Sequence, residues 1–249
     1  MIEAIICDWN GTLIKDKYED EFFKELFKKI IFTYPNFLNI LKWHEFWKTK
    51  IECEKLYKLV EQKGGSEPQN EINSILDLLN KNIIRNTSIS LIEKFIEEYS
   101  TKAYKRLDER ILRPLKKIQN KKVILGIISS GCFSGIKRTL EKGGYYFNFI
   151  IANDFEKENN KIKKFSLKVF RNKKEILKNI FEEKNINKNK TMYIGDDWQD
   201  EGCFEEVGFP VISFLANEDF KEKISKRINL FIPKSERDFE KYLEDLAIN

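Results

Sequence analysis

Five short, almost entirely apolar runs recur along the sequence, and helical periodicity follows most of them. The runs are EAIICD at 3–8, KVILGIIS at 122–129, FNFIIAND at 147–154, TMYIGD at 191–196 and PVISF at 210–214. Strands that helices cover on both faces have this composition, because neither face of the sheet meets water. The alternation therefore predicts an α/β fold built on a doubly wound parallel sheet with right-handed crossovers.

The interval 16–110 differs, because it contains helical periodicity and no clear strand. Breaks in that periodicity and the return to the sheet fall at Tyr34-Pro35-Asn36, Gly64-Gly65-Ser66, Asn86 and Arg113-Pro114. Proline, glycine and asparagine at such places end helices. The sequence thus predicts a Rossmann-like α/β core domain of residues 1–15 and 111–249. An all-α helical domain at 16–110 is inserted into it after the first strand.

The charge pattern favours small anionic substrates. Lysine and arginine number 45 against 40 aspartates and glutamates, a net charge of +5. Charges of both signs are interspersed, as in EKENNKIKK (156–164) and KSERDFEKYLEDL (234–246), which is typical of solvated helix faces. No basic run alternates with aromatic residues, so nucleic-acid binding is not predicted.

Cysteine usage and hydropathy predict a cytoplasmic protein that does not enter a membrane. The cysteines form no CxxC pair, which favours free, buried thiols over zinc binding. His44 is the only histidine, which excludes metal sites built on several imidazoles. There is no secretion signal, and no apolar stretch approaches 18 residues. The sequence does not indicate an oligomeric state. The four cysteines are Cys7, Cys53, Cys132 and Cys203.

Polar side chains lie where the predicted strands end. In an open α/β sheet, ligands bind beyond the carboxyl ends of the strands. A lysine pair, Lys173-Lys174, opens the helix that precedes the fourth run. The strand-end residues are Asp8 after the first run, Ser129 with Ser130 and Gly131 after the second, and Asp196, Asp197 and Asp200 after the fourth.

This combination of groups suits phosphoryl transfer. A carboxylate such as that of Asp8 can attack phosphorus and form an aspartyl-phosphate. Further carboxylates, those of Asp196 and Asp200, are hard oxygen ligands for Mg²⁺. A hydroxyl, an ammonium and backbone amides stabilise the negative charge of the transferring group, and Ser129 and Lys173 can provide the first two.

The order of these motifs resembles that of the haloacid dehalogenase superfamily. The elements are D-W-N-G-T-L at 8–13, a serine that ends the second strand, a lysine, and G-D-D-W-Q-D at 195–200. The stretch from KKEIL at 173–177 onwards is similar to that of phosphoserine-phosphatase-type members. The insert after the first motif resembles the helical cap that covers the active site in this superfamily.

The resemblance implies a role for each motif residue. Asp8 would be the nucleophile and a Mg²⁺ ligand, and Asn10 would give its backbone carbonyl to the metal. Lys173, or its neighbour Lys174, would neutralise Asp8 and the phosphoryl group. The implied metal ligands are Asp8, Asn10, Asp196 and Asp200. The residues predicted to bind the phosphate of a small phosphorylated metabolite, or to shape the loop around it, are Thr12, Ser129, Ser130 and Gly131, with Ser130 a rival for the role of Ser129.

Asn10 departs from the superfamily pattern. Phosphatases of this group usually carry an aspartate there, which acts as general acid and base, and an amide cannot exchange that proton. Three hypotheses follow: a Mg²⁺-dependent phosphohydrolase that works without this acid, a phosphonatase-type C–P hydrolase with a Schiff-base lysine in the cap, and a binding or regulatory protein. The retention of Asp8, Ser129, Asp196 and Asp200 with a suitable lysine favours the first.

Overall fold

The structure is a computed structural model that divides into two compact units. Unit 1 comprises Met1–Asp20, Ile96–Asp154 and Leu167–Asn249, and unit 2 comprises Glu21–Phe95 and Phe155–Ser166. The residues that the structure describes are 1–15, 18–33, 44, 47–49, 51–52, 55, 77, 79–85, 87–119, 122–169 and 172–248.

The described elements alternate between strands and helices after the first hundred residues. A π-helical turn spans Asn80–Ile84, and 3₁₀ turns span Tyr104–Arg106 and Lys188–Lys190. The helices and strands are β1 (Ala4–Cys7), α1 (Tyr18–Thr33), α2 (Ile89–Ala103), α3 (Glu109–Ile118), β2 (Ile124–Cys132), α4 (Phe133–Gly143), β3 (Phe149–Glu158), β4 (Lys161–Ser166), α5 (Lys173–Glu183), β5 (Thr191–Gly195), α6 (Glu201–Phe204), β6 (Phe209–Ile212), α7 (Glu218–Ser225) and α8 (Glu236–Ile248).

The strands form one sheet in the order β4-β3-β2-β1-β5-β6. β1 pairs in parallel with β2 and with β5, and β2–β3 and β5–β6 are parallel as well. The chain first adds β2, β3 and β4 on one side of β1 and then adds β5 and β6 on the other side. The direction of winding therefore reverses between β1 and β5. Ligands bind at such a switch point. The predicted fold class, a doubly wound α/β sheet, is confirmed.

Burial on both faces explains the composition of the central strands. All four residues of β1 and all five of β5 are buried. Ile6 and Tyr193 share a core cluster with Leu177 of α5 and Phe204 of α6. A polar residue inside these strands would need a partner, so the polar groups collect at the strand ends.

Unit 2 combines helices with a β-hairpin, around a cluster of phenylalanines. The ring centroids of Phe22 and Phe95 are 5.1 Å apart, and those of Phe23 and Phe165 are 4.9 Å apart. Asn80 fastens the π-helical turn to β4: its Nδ2 donates to the carbonyl of Phe165 at 3.1 Å, and its Oδ1 accepts from the Phe165 amide at 2.6 Å.

The prediction of a solvated helix face at 156–164 is wrong. Asn159 and Asn160, both with positive φ (47° and 61°), turn β3 back into β4, and asparagine tolerates this left-handed conformation. Ile162 and Phe165 of β4 are buried. Such a short strand, with lysines between its two buried residues, resembles a polar helix face in sequence. The second charged segment is helical as expected, in α8.

Pro114 lies inside α3 and does not end a helix, although the sequence placed the return from the insert at Arg113-Pro114. Its neighbours Ile111, Leu112 and Leu115 are buried, and this apolar stripe outweighs the roughly 3 kcal/mol that an interior proline costs a helix. The helical periodicity of the insert also predicts helices at 40–62 and 70–83, and both fall mostly outside the described residues. None of the described helices is long and apolar enough to span a membrane. Cys7, Cys132 and Cys203 are free and buried, as predicted, and Cys53 lies outside the described residues.

Candidate active site

β1 delivers Asp8 to the carboxyl edge of the sheet, next to the switch point. The amide of Asp8 donates to the carbonyl of Ile194 in β5 at 2.9 Å, which fixes the end of the strand. Asp8 as a whole is only 5% exposed. A carboxylate this deeply buried needs a compensating charge or ligand.

The turn after Asp8 brings the first motif against the fourth. Gly11 has a φ of +63°, and a Cβ atom on it would lie 2.0 Å from Oδ2 of Asp196. Glycine is therefore required both for the conformation and for the close approach. The hydroxyl of Thr12, which is fully buried, donates to Oδ1 of Asp196 at 2.9 Å. This geometry favours a positioning role for Thr12, and direct contact with substrate stays a prediction.

Lys173, the first residue of α5, lies between two carboxylates. Its Nζ is 3.0 Å from Oδ1 of Asp8 and 2.8 Å from Oδ1 of Asp200, and all three side chains are buried. Burial lowers the pKa of Lys173, but the two carboxylates outweigh it and raise that pKa well above its ordinary value, so the ammonium keeps its charge. Lys174 pairs instead with Glu205 at 2.9 Å, away from Asp8.

Asp200 is held by a full set of donors. Its Oδ1 accepts from Lys173 and from the hydroxyl of Tyr193, both at 2.8 Å. Its Oδ2 accepts from the backbone amides of Asp196 at 3.0 Å and Asp197 at 3.4 Å. A Cβ atom on Gly195 would lie 2.5 Å from Cγ of Asp200. Because glycine has no side chain, the end of β5 leaves room for the Asp200 carboxylate. Because a carboxylate accepts about four hydrogen bonds, Asp200 has little capacity left.

The described residues include a cluster that can hold a divalent cation. One carboxylate oxygen from each of Asp8, Asp196 and Asp200 lies within 4.8 Å of the others. Burial raises the pKa of Asp8 despite Lys173, and Asp200 and Asp197 raise it further. Burial, Asp8 and Asp200 likewise raise the pKa of Asp196. Within the described part of the chain, these three carboxylates have only the Lys173 ammonium to offset their charge. Such a set of hard, anionic oxygens is the kind that Mg²⁺ prefers.

The two candidate serines at the end of β2 have different surroundings. Ser129 is fully buried, and its Oγ accepts from the amide of Gly131 at 3.0 Å. Ser130 is partly exposed, and its carbonyl accepts a hydrogen bond from Nδ2 of Asn153. Exposure thus separates two side chains that the sequence left as rivals.

Comparison with known proteins identifies the family. The model of the haloacid dehalogenase-like hydrolase family matches residues 49–214. The chain belongs to this family. The family prediction is therefore confirmed, together with the class of enzyme, a hydrolase. A search of curated proteins gives no match.

Several solved structures share the fold over nearly the whole chain. A substrate-bound phosphoserine phosphatase matches with 20% identity and a TM-score of 0.59, covering 97% of this chain and 98% of that one. A phospho-aspartyl intermediate analogue of phosphoserine phosphatase matches with 21% identity and a TM-score of 0.58, covering 97% and 98%. Cytosolic 5'-nucleotidase IIIB bound to cytidine matches with 13% identity and a TM-score of 0.67, covering 99% and 85%.

Asn10 occupies the position where this hydrolase departs from the superfamily pattern. Its side-chain Oδ1 is buried and has no hydrogen-bond partner within the part of the chain that the structure describes. A buried amide oxygen without a partner is costly. It is an acceptor held two residues after Asp8, and an amide there neither gives nor takes a proton.

Three further residues shape the site of this hydrolase and were missed in the sequence. Tyr193 donates to Asp200, and Ser213 binds the first motif. Asn153 contacts the irregular end of β2 at 129–132, which we call the serine loop. The Ser213 hydroxyl donates to the carbonyl of Gly11 at 2.9 Å. The backbone amide of Ser213 donates to the carbonyl of Gly195 at 2.8 Å. The available signal was a polar residue near the end of an apolar run, as in FNFIIAND and PVISF.

Proposed function

We propose that this protein is a Mg²⁺-dependent phosphohydrolase of a small phosphorylated metabolite, with Asp8 as the nucleophile. The observation that carries the proposal is the buried Lys173 ammonium, 3.0 Å from Asp8 and 2.8 Å from Asp200. A carboxylate beside a fixed positive charge can approach an anionic phosphate without prohibitive repulsion. Membership of the hydrolase family and the fold shared with phosphoserine phosphatases support the same reaction class.

In the proposed reaction, an Asp8 oxygen attacks phosphorus while the bond from phosphorus to the leaving oxygen breaks. The products of this step are an acyl phosphate on Asp8 and the released leaving group, which is an alcohol or phenol that has gained a proton, or a carboxylate. Water then attacks the acyl phosphate, which restores Asp8 and releases inorganic phosphate. Lys173 offsets negative charge in both steps, and Asp200 holds the ammonium in place.

The carboxylates of Asp8 and Asp196 and the backbone carbonyl of Asn10 would hold the metal. When bound, Mg²⁺ supplies positive charge that offsets the charges of the nucleophile and the phosphate. The sequence also assigned Asp200 as a ligand, and that assignment stays a prediction. Its four hydrogen bonds favour the orientation of Lys173 as its main task.

The phosphate would meet the loop at the end of β2. Ser130 is the better candidate for direct contact, because it is partly exposed whereas Ser129 is fully buried. The helical insert at 16–110 would act as the cap, and the domain boundaries stay predictions. The three buried free thiols support the proposed cytoplasmic location.

Asn10 restricts the substrates that this mechanism can use. Without a carboxylic acid at this position, the leaving oxygen must take its proton from water or from the substrate. Aryl and acyl phosphates need the least help, because their leaving groups are weak bases. The proposal therefore favours these over simple alkyl phosphates.

The test is a panel of phosphorylated compounds with Mg²⁺ or with EDTA, read by release of inorganic phosphate. The panel includes aryl and acyl phosphates, phosphoserine, nucleoside monophosphates and phosphonates. Phosphoserine and nucleoside monophosphates are included because a phosphoserine phosphatase and a 5'-nucleotidase are among the structural matches. We expect Mg²⁺-dependent release from at least one phosphate compound. Release from phosphonates alone would replace the proposal with C–P hydrolysis, and a blank panel would favour a binding protein.

A further inference from the structure

The side chain of Asn153 connects two loops that the proposed reaction needs. Asn153 lies in β3 and is fully buried. Its Nδ2 donates to the carbonyl of Ser130. Its Oδ1 accepts from the amide of Lys168 at 2.6 Å and from that of Val169 at 3.0 Å. One side chain thus engages the serine loop and the segment that leads to Lys173.

These contacts fix the orientation of one peptide group. In a planar trans peptide, the carbonyl oxygen and the amide hydrogen point in opposite directions. The Ser130 carbonyl points to Asn153, and the Gly131 amide of the same peptide points to Oγ of Ser129 at 3.0 Å. The peptide between Ser130 and Gly131 is therefore held at both ends, and its plane cannot rotate without breaking a buried hydrogen bond.

We propose that Asn153 is a positioning residue for phosphate binding: it holds the Ser130–Gly131 peptide with the Ser130 carbonyl oxygen directed at Asn153 and away from the phosphate. This inference rests on the proposed function. Asn153 does not touch the substrate. It acts through the loop, because a rotated peptide would turn a carbonyl oxygen towards an anion and repel it.

The second pair of contacts extends the argument to the lysine. The amides of Lys168 and Val169 lie five and four residues before Lys173, respectively, and Val169 is fully buried. By accepting from both, Asn153 fixes the distance between the serine loop and the segment that enters α5. An isolated structural asparagine would satisfy one neighbouring segment, whereas Asn153 joins two that each carry a proposed site residue.

Unit 2 offers a matched control in Asn80. This asparagine is also buried, and its amide also donates to and accepts from the backbone of a distant residue, Phe165. Replacing either asparagine by aspartate removes the donor and keeps the acceptor. Both variants, N153D and N80D, place a carboxylate against a backbone carbonyl, so both lose stability for the same reason.

The experiment measures N153D, N80D, S129A and the double variant N153D/S129A in the full chain with Mg²⁺. Three quantities are read: the thermal unfolding midpoint, the Kd for inorganic phosphate by calorimetry, and kcat and KM for the best substrate of the panel. We expect N153D and N80D to lower the midpoint similarly. Only N153D should raise the phosphate Kd and the KM, by about tenfold, the effect of one misplaced hydrogen bond to a charged group.

S129A frees the other end of the same peptide and keeps the test valid if N153D does not fold. It should also weaken phosphate binding, and the double variant should lose less than the product of the two single losses, because both act on one peptide. A phosphate Kd that is unchanged in N153D or S129A, or equally changed in N80D, overturns the inference while leaving the proposed function intact. A wild-type protein that neither binds phosphate nor releases it overturns both.

Discussion

Two acidic loops meet at the carboxyl edge of the sheet, and they treat their carboxylates in opposite ways. In the loop 196–200, Asp200 accepts from Lys173, Tyr193 and two backbone amides, and it is fully buried. In the turn 8–12, Asp8 shares the same lysine, but burial and neighbouring carboxylates still raise its pKa. The filled acceptor sites of Asp200 suit it to hold its neighbours in place, whereas the carboxylate of Asp8, with Lys173 beside it, is better placed to react.

The largest effect is expected at Asp8. The variant D8N keeps the size of the side chain but removes the nucleophile, and it should lower Mg²⁺-dependent phosphate release by at least about 10³-fold. Release is measured with the best substrate of the panel, under conditions where the variant's thermal unfolding shows that it is folded. Activity at the wild-type level would remove Asp8 from the proposed role and erase the contrast between the loops.

The neighbouring lysines provide a matched pair for the next test. K173M leaves two buried carboxylates without their ammonium, so phosphate release should fall by about 10²–10³-fold, as for the loss of a preorganised charge. The free energy of unfolding should also fall, by about 3–5 kcal/mol, because a buried ion pair loses one partner. K174M removes a solvent-screened pair with Glu205 and should leave the free energy of unfolding nearly unchanged. Similar losses in both variants would mean that the wrong lysine has been assigned.

Asn10 tests whether the first turn lacks only a proton donor. The variant N10D should raise kcat on alkyl phosphates by about 10–10²-fold, the lower part of the range for general acid–base catalysis. Aryl and acyl phosphates should change much less, because their leaving groups need no proton. The ratio of the two rates is the measurement. An equal change for both substrate classes, or no change, would show that Asn10 is not a missing acid.

The smallest expected effect is a dependence of Mg²⁺ stabilisation on pH. Without the cation, raised pKa values for Asp8 and Asp196 mean that the folded chain holds protons that the unfolded chain loses. Stability should therefore fall as the pH rises from the ordinary aspartate value of 3.8 towards the raised values. Because a bound cation requires deprotonated ligands, Mg²⁺ should raise the unfolding midpoint by a few degrees more at the upper end of this window. Calorimetric scans at two pH values check the sign, and a larger gain at the lower pH would contradict it.

The sequence predicted most of the sheet, because each buried strand carries its own apolar run. It could not predict the hairpin, because β4 contains only two buried residues, Ile162 and Phe165, and lysines lie between them. It also could not choose between Lys173 and Lys174, because adjacent helix positions point about 100° apart and tertiary structure decides which one faces inward. Ser213 contacts Gly11 across 202 positions of the chain, and no local pattern records a contact of that kind.

The division of the chain has a practical consequence for anyone who shortens this protein. The polypeptide passes between the units after Asp20, Phe95, Asp154 and Ser166, so unit 2 is assembled from two separate stretches. Deleting 21–95 alone would strand the hairpin and leave Phe165 without Phe23 and Asn80. A truncated version that keeps unit 1 must therefore remove both stretches, β4 among them, and rejoin the chain twice, once from Asp20 to Ile96 inside α2 and once from Asp154 to Leu167.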